Sequence, residues 1–234
     1  MPCHGIIFDF NGVLLWDSEW QVKSWQGVAK KLRGREMTEE ELARQVHGRP
    51  NADVLSYLAG RPIEGRELAE LIQAKESFYR ELCVLNPRRF VLSPGAEELL
   101  NALDKLKIPR TIATSSEITN VRFFIQHLRL DRWFDVDKIV YDNGVRPGKP
   151  APDVYVEAAR QIGVEPHWCL VVEDAISGLA SAQAAGIGYL VALGAPATHP
   201  MLLQLPGVSL AIKSLRDFPR NLLGIKPVKK GKDV

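Results

Sequence analysis

The stretch Gly5-Ile6-Ile7-Phe8-Asp9-Phe10-Asn11-Gly12-Val13-Leu14-Leu15 decides how the rest of the chain is read. Its apolar run, Ile6 to Phe8, is too short for a helix and is closed by Asn11-Gly12. That pattern suits a strand covered on both faces of a parallel sheet. Asp9 then falls at the strand's carboxyl end. Ligands of open α/β sheets bind in the crevice beyond those ends, so chemistry is expected at this carboxylate.

Working outward, residues 17 to 88 follow a helical period. Val22, Trp25, Val28, Ala29 and Leu32 make one apolar stripe, and Thr38 with Glu41 forms a capping-box signature before Leu42 and Val46. Gly48 stops that helix, a third segment follows Asn51, and a fourth runs from Glu64 to Leu82 before Asn86-Pro87 breaks it. Trp16, Trp20 and Trp25 read as packing residues of this insertion and its hinge, and Lys75 as a solvated helix position. Spliced in beside Asp9, such a module would lie over the crevice as a lid and keep water out.

From Leu92 onward helices alternate with short strands, at 110–114, 139–141, 169–172, 189–193 and near Leu210, giving about six strands in all. The expected fold is α/β: a doubly wound, parallel, Rossmann-like core with an inserted all-helical cap. The core takes residues 1–16 and 89–225, the cap 17–88, and a basic tail 226–234.

Composition narrows the function classes. With 234 residues, 46% of them hydrophobic, the chain can bury a substantial core and a second small domain. A formal charge of +2 gives no reason to expect nucleic acid as a partner, and the one basic cluster, Lys226, Lys229, Lys230 and Lys232, reads as a solvated end. The three cysteines show no CxxC spacing, which argues against a disulfide framework or a zinc knuckle. No apolar run approaches the roughly 20 residues that cross a bilayer, so no membrane partner is expected. The start MPCHG lacks the regions of a signal peptide, and a cytoplasmic location follows as the expectation. Nothing sets the oligomeric state; a monomer suffices.

Strand ends and adjoining loops would gather Asp9, the hydroxyl run Thr114, Ser115, Ser116, the pair Glu173-Asp174, and Lys149. Asp9 and Asp174 together can hold a hard cation, and magnesium prefers one or two carboxylates with waters and phosphate oxygens. Thr114 can donate to a phosphoryl oxygen and Lys149 can neutralise charge. These are the parts of phosphoryl transfer, where positioning and electrostatic stabilisation carry the catalysis. Ser115 or Ser116 is also expected to cap the following helix.

FDFNG at Phe8, ATSS at Ala113, GKPAPD at Gly148 and VVEDAISGLASAQAAG at Val171 closely resemble the four motifs of the haloacid dehalogenase-like hydrolase superfamily. The helical insertion and the last two motifs resemble its β-phosphoglucomutase-like and sugar-phosphatase branch. The resemblance implies a small phosphorylated metabolite as substrate and Asp9 as the nucleophile that forms an aspartyl-phosphate. It implies that Thr114 binds the transferring group and that Lys149 bridges it to Asp9, with Ser115 beside them. It implies Mg2+ held by Asp9, the backbone carbonyl of Asn11, and Asp174, with Glu173 nearby. In the lid, HGRP at His47 resembles the branch's substrate-facing segment, making His47 and Arg49 candidates to grip the non-reacting part of the substrate.

The chain departs from that pattern at Asn11, where phosphatases and mutases of the superfamily carry the Asp that protonates the leaving group. An amide cannot exchange a proton at neutral pH. General acid-base catalysis is worth about 10² to 10⁴ in rate, or roughly 3 to 5 kcal/mol of barrier. An impaired magnesium-dependent phosphatase is therefore expected, with a sugar phosphomutase and a non-catalytic phosphoester binder as alternatives. GVLLWDSE has one residue more than the family's common GVLVDSE, near Trp16, and Val22 stands where a His often follows. Glu19 and His47 are the side chains considered for the missing proton carrier.

Overall fold

A computed structural model describes residues 3 to 223; the basic run from Lys226 to Lys232 lies outside the described residues. The core is one six-stranded parallel sheet in the order β3-β2-β1-β4-β5-β6. Its strands are β1 (Gly5–Phe8), β2 (Arg110–Glu117), β3 (Val140–Asp142), β4 (Cys169–Glu173), β5 (Tyr189–Leu193) and β6 (Val208–Ile212). Helices α5 (Ala96–Lys105), α6 (Ile118–Leu128), α7 (Asp153–Ile162), α8 (Ile176–Ala184) and α9 (His199–Leu202) connect them.

β1 lies between β2 and β4, with Phe8 opposite both Ile112 and Val172. Its side chains alternate between two cores. Ile6 and Phe8 enter one with Phe10, Leu99, Phe124 and Phe134, while Ile7 enters the other with Ala113, Tyr155 and Val171. Burying side chains of this size contributes about 1.5–3 kcal/mol each. Pinned on both sides, β1 delivers Asp9 one residue beyond the level of Ile112 and Val172, at the end of β4 and partway along β2.

Between β1 and α5 lie four helices: α1 (Ser18–Arg33), α2 (Glu39–Gln45), α3 (Asn51–Ala59) and α4 (Gly65–Leu85). Trp25, Ala29, Leu42, Val54, Leu55 and Leu58 form their own core, so the insertion is a cap with internal packing. The Thr38–Glu41 capping box is present at the start of α2. The root of the cap joins the main core through Trp20, Tyr79 and Leu82. Among the described residues, no helix is long and apolar enough to cross a membrane.

Two local expectations are corrected. β2 continues through Ser115 and Ser116 to Glu117, and Glu117, not a serine, caps α6 by accepting from the Thr119 N–H. The serine hydroxyls are engaged elsewhere: Ser115 donates to the Gly48 carbonyl and Ser116 to Asn11 Oδ1. Lys75 is not solvated either; it is buried, 3% exposed, on the inner side of cap helix α4.

Candidate active site

The ends of β1, β2 and β4 and the loop before α7 bring Asp9, Thr114, Glu173, Asp174 and Lys149 together. Lys149 Nζ lies 2.6 Å from Asp9 Oδ1 and 3.2 Å from Glu173 Oε2, and donates a longer bond to the Ala113 carbonyl. Tyr155 donates to the same Glu173 oxygen at 2.8 Å, while the Ala175 N–H donates to the other. Both oxygens of Glu173 are thus occupied. Asp9, Asn11, Thr114, Ser115 and Asp174 line a cavity roofed by the cap.

Close backbone approach makes this packing possible. Gly12, at φ +83, is so near Asp174 that a Cβ there would fall 1.9 Å from Oδ2. Gly178 stands in the same relation to Glu173. Only residues without side-chain atoms fit beside these carboxylates.

Three acids share this floor with one lysine, and the imbalance moves their protonation. Burial, and then the neighbouring Asp9 carboxylate, pushes the Glu173 carboxyl up to about 7 against the pull of Lys149 and Tyr155. Burial likewise raises Asp9 despite Lys149, and raises Asp174 further with the help of Glu173 and Asp9. Burial opposes the charge on Lys149, yet Asp9 and Glu173 outweigh it and hold the ammonium firmly protonated. Ligand oxygens of Asp9, Glu173 and Asp174 all lie within 4.8 Å of one another. A buried excess of carboxylate in that space is a donor set suited to a hard divalent cation.

Asn11 is fixed from two directions. Its Oδ1 accepts from Ser116 at 2.8 Å, and its Nδ2 donates to Asp17 Oδ2 at 2.7 Å. Asp17 is the residue sequence reading missed. It is 2% exposed, accepts also from the Tyr79 hydroxyl, Gln21 and the Gly12 N–H, and lines the cavity. Trp16 before it is 43% exposed while Asp17 is buried; its sequence signal was its place in the DSE of GVLLWDSE.

The remaining candidates divide. Thr114 lines the cavity, and its Oγ1 accepts from the Ser116 N–H, which leaves the hydroxyl able to donate. Carbonyls of His47 and Gly48 accept from Ser177 and Ser115, tying the cap loop to the core. His47 lines the cavity yet stays exposed, and partial desolvation there lowers its pKa. Arg49 reaches the cavity edge, but its Nε donates to the Arg44 carbonyl at 3.1 Å. Glu19 is outside the site, paired with Arg89 at the surface. Trp25, expected only to pack, also lines the cavity, as do Lys75 and Glu76.

A parallel sheet whose central tips gather carboxylates, a hydroxyl and a buried lysine under a helical cap defines a capped α/β hydrolase core. The chain belongs to the haloacid dehalogenase-like hydrolases, whose family model matches residues 3–186. It is 30% identical over 220 residues to hexitol phosphatase A of Escherichia coli, covering 93% of this chain and 94% of that protein. It is 27% identical to the β-phosphoglucomutase of Bacillus subtilis, over 93% and 92% of the two chains. Among solved structures, a family IA haloacid dehalogenase hydrolase from Entamoeba histolytica superposes with a TM-score of 0.82 at 36% identity, covering 96% of this chain and 98% of that one.

Proposed function

We propose that this phosphohydrolase moves the phosphoryl group of a small phosphomonoester, such as a sugar or sugar-alcohol phosphate, first to Asp9 and then to water. The observation that carries this reading is the buried Asp9 carboxylate at the tip of β1 with Lys149 Nζ 2.6 Å away. One Asp9 oxygen is steadied by the ammonium while the other attacks phosphorus. The oxygen–phosphorus bond to the leaving group breaks as the bond to Asp9 forms, and Thr114 donates to a phosphoryl oxygen in the cavity. Water then cleaves the aspartyl-phosphate. Asp9 and Asp174, with the Asn11 carbonyl and Glu173 beside them, would hold Mg2+, which when bound supplies positive charge to the phosphoryl oxygens. Glu173, with both oxygens engaged, chiefly orients Lys149.

Asn11 carries no proton to the departing alkoxide, so the leaving group must take it from water in the cavity. Leaving groups that need little protonation, such as aryl or acyl phosphates, therefore suffer least. The cap, taken as residues 17–88, shields the intermediate. One observation favours the phosphatase over the mutase: Arg49 spends its Nε on the Arg44 carbonyl, whereas a mutase needs a grip on the second phosphate.

The test is phosphate release from aryl, sugar and sugar-alcohol phosphates with and without Mg2+. Asp9→Asn should abolish turnover, a loss of at least about 10³-fold. Asn11→Asp should raise turnover of alkyl phosphates by about 10² to 10⁴ and of aryl phosphates by less. Turnover that survives Asp9→Asn would sink the aspartyl-phosphate reading.

A further inference from the structure

The cavity has a second wall that the chemistry at Asp9 does not use. It is built by the cap, from Gln21 and Trp25 on α1, Asn51 on α3, and Lys75 and Glu76 on α4. Lys75 and Glu76 are each 3% exposed and pair at 3.0 Å. Lys75 Nζ also donates to Gln21 Oε1 at 2.9 Å and lies 4.6 Å from the centre of the Trp25 ring. Glu76 Oε1 accepts from Asn51 at 2.8 Å, and Oε2 accepts from Asn120 of α6 at 2.7 Å.

The cation of this wall is therefore neutralised before any ligand arrives. Burial works against charge on Glu76, but Lys75, Asn120 and Asn51 outweigh it and keep the carboxylate ionised. A second phosphate placed here would meet that carboxylate beside the ammonium it needs, and like charges in a desolvated site repel strongly. Hydroxyl groups fit better. They both donate and accept, matching a surface made of two amides, an ammonium and a carboxylate, while the Trp25 face suits the carbon face of a sugar or polyol.

We infer that Glu76 is a specificity-determining residue that confines the enzyme to monophosphates with a neutral, polyhydroxylated leaving group and excludes bisphosphates. This rests on the phosphomonoesterase reading above and adds to it the charge of the part of the substrate that does not react. A purely structural role for Glu76, as a tie from cap to core through Asn120, would affect all substrates alike.

The experiment compares kcat/KM for a hexose 6-phosphate and the corresponding hexose 1,6-bisphosphate in the Mg2+-loaded full chain. The unmodified protein should favour the monophosphate by about tenfold or more, and Glu76→Gln should shrink that ratio by about tenfold, mainly through KM for the bisphosphate. Asn120→Ala, which cuts the tie and keeps the charge, should leave the ratio in place. A ratio unchanged by Glu76→Gln, or moved equally by Asn120→Ala, overturns the inference. Inhibition of the unmodified protein needs no variant: a hexitol should bind about tenfold more tightly than the matching sugar acid, and equal inhibition overturns the inference as well. Should no phosphate ester turn over, the same ratio read as Kd by calorimetry separates the two ideas. Discriminating binding without turnover strikes the phosphatase reading alone, and equal binding of both ligands strikes this one.

Discussion

The floor and the roof of the cavity solve the problem of buried charge in opposite ways. On the floor, Asp9, Glu173 and Asp174 face one lysine, and their carboxyls are pushed above their ordinary values. On the roof, Glu76 meets one lysine and two amide donors, and its carboxyl is held below its ordinary value. The floor is short of positive charge until something else brings it, whereas the roof is complete in itself. A site proposed to receive a cation and a phosphoryl group has reason to be left unbalanced; a wall proposed to select among substrates has reason to be settled.

Removing the lysine from each side should break this contrast most visibly. Lys149→Met leaves the buried Asp9 and Glu173, and the half-buried Asp174, without their cation and should cost about 3–5 kcal/mol in the metal-free protein. Lys75→Met should cost less, because Glu76 keeps its bonds from Asn51 and Asn120. Urea unfolding in the presence of a chelator measures both, and equal losses would dissolve the distinction.

The next effect is on pH dependence. A carboxyl raised in the folded protein binds a proton that the unfolded chain has released, so folding is disfavoured as that proton leaves. For Glu173 the window runs from its ordinary value of 4.5 to about 7, and stability of the metal-free protein should fall as pH rises through it. Glu76 has the opposite sign: its contribution is present above 4.5 and is lost as pH falls through its lowered folded value. Mg2+ competes with protons on the floor, so its stabilisation should grow from pH 5 to pH 7.5. A melting-temperature gain independent of pH would show that the acids do not receive the metal.

The smallest effect sharpens the floor itself. Tyr155→Phe removes one hydroxyl donor from Glu173 and should cost about 1 kcal/mol, with activity falling less than for any change at Lys149. Unaltered stability would mean that Lys149 alone positions Glu173.

Much of the molecule was legible in the chain because its signals are local. β1 with Asp9 at its tip, the capping box at Thr38 and the strand 189–193 follow from apolar runs, caps and breaks in period. Where neighbours compete, local reading fails. Ser115 and Ser116 look like cap residues until Gly48 and Asn11 claim their hydroxyls. Lys75 looks solvated because it is charged, although it precedes Tyr79, Leu82 and Cys83 on the buried stripe of α4. That periodicity was available, and the charge masked it.

By itself the amino-acid sequence determined the parallel core with its helical insertion, and the set of acid, hydroxyl and lysine carried to the strand ends. Those depend on hydrophobic period and on chain order, which are written in one dimension. Only the tertiary structure decided that Asp17 holds the Asn11 amide, that Glu19 belongs to the surface, and that Lys75 spends its charge on Glu76. Each of these turns on which polar groups lose water together, and desolvation is a property of the packed protein rather than of any segment within it.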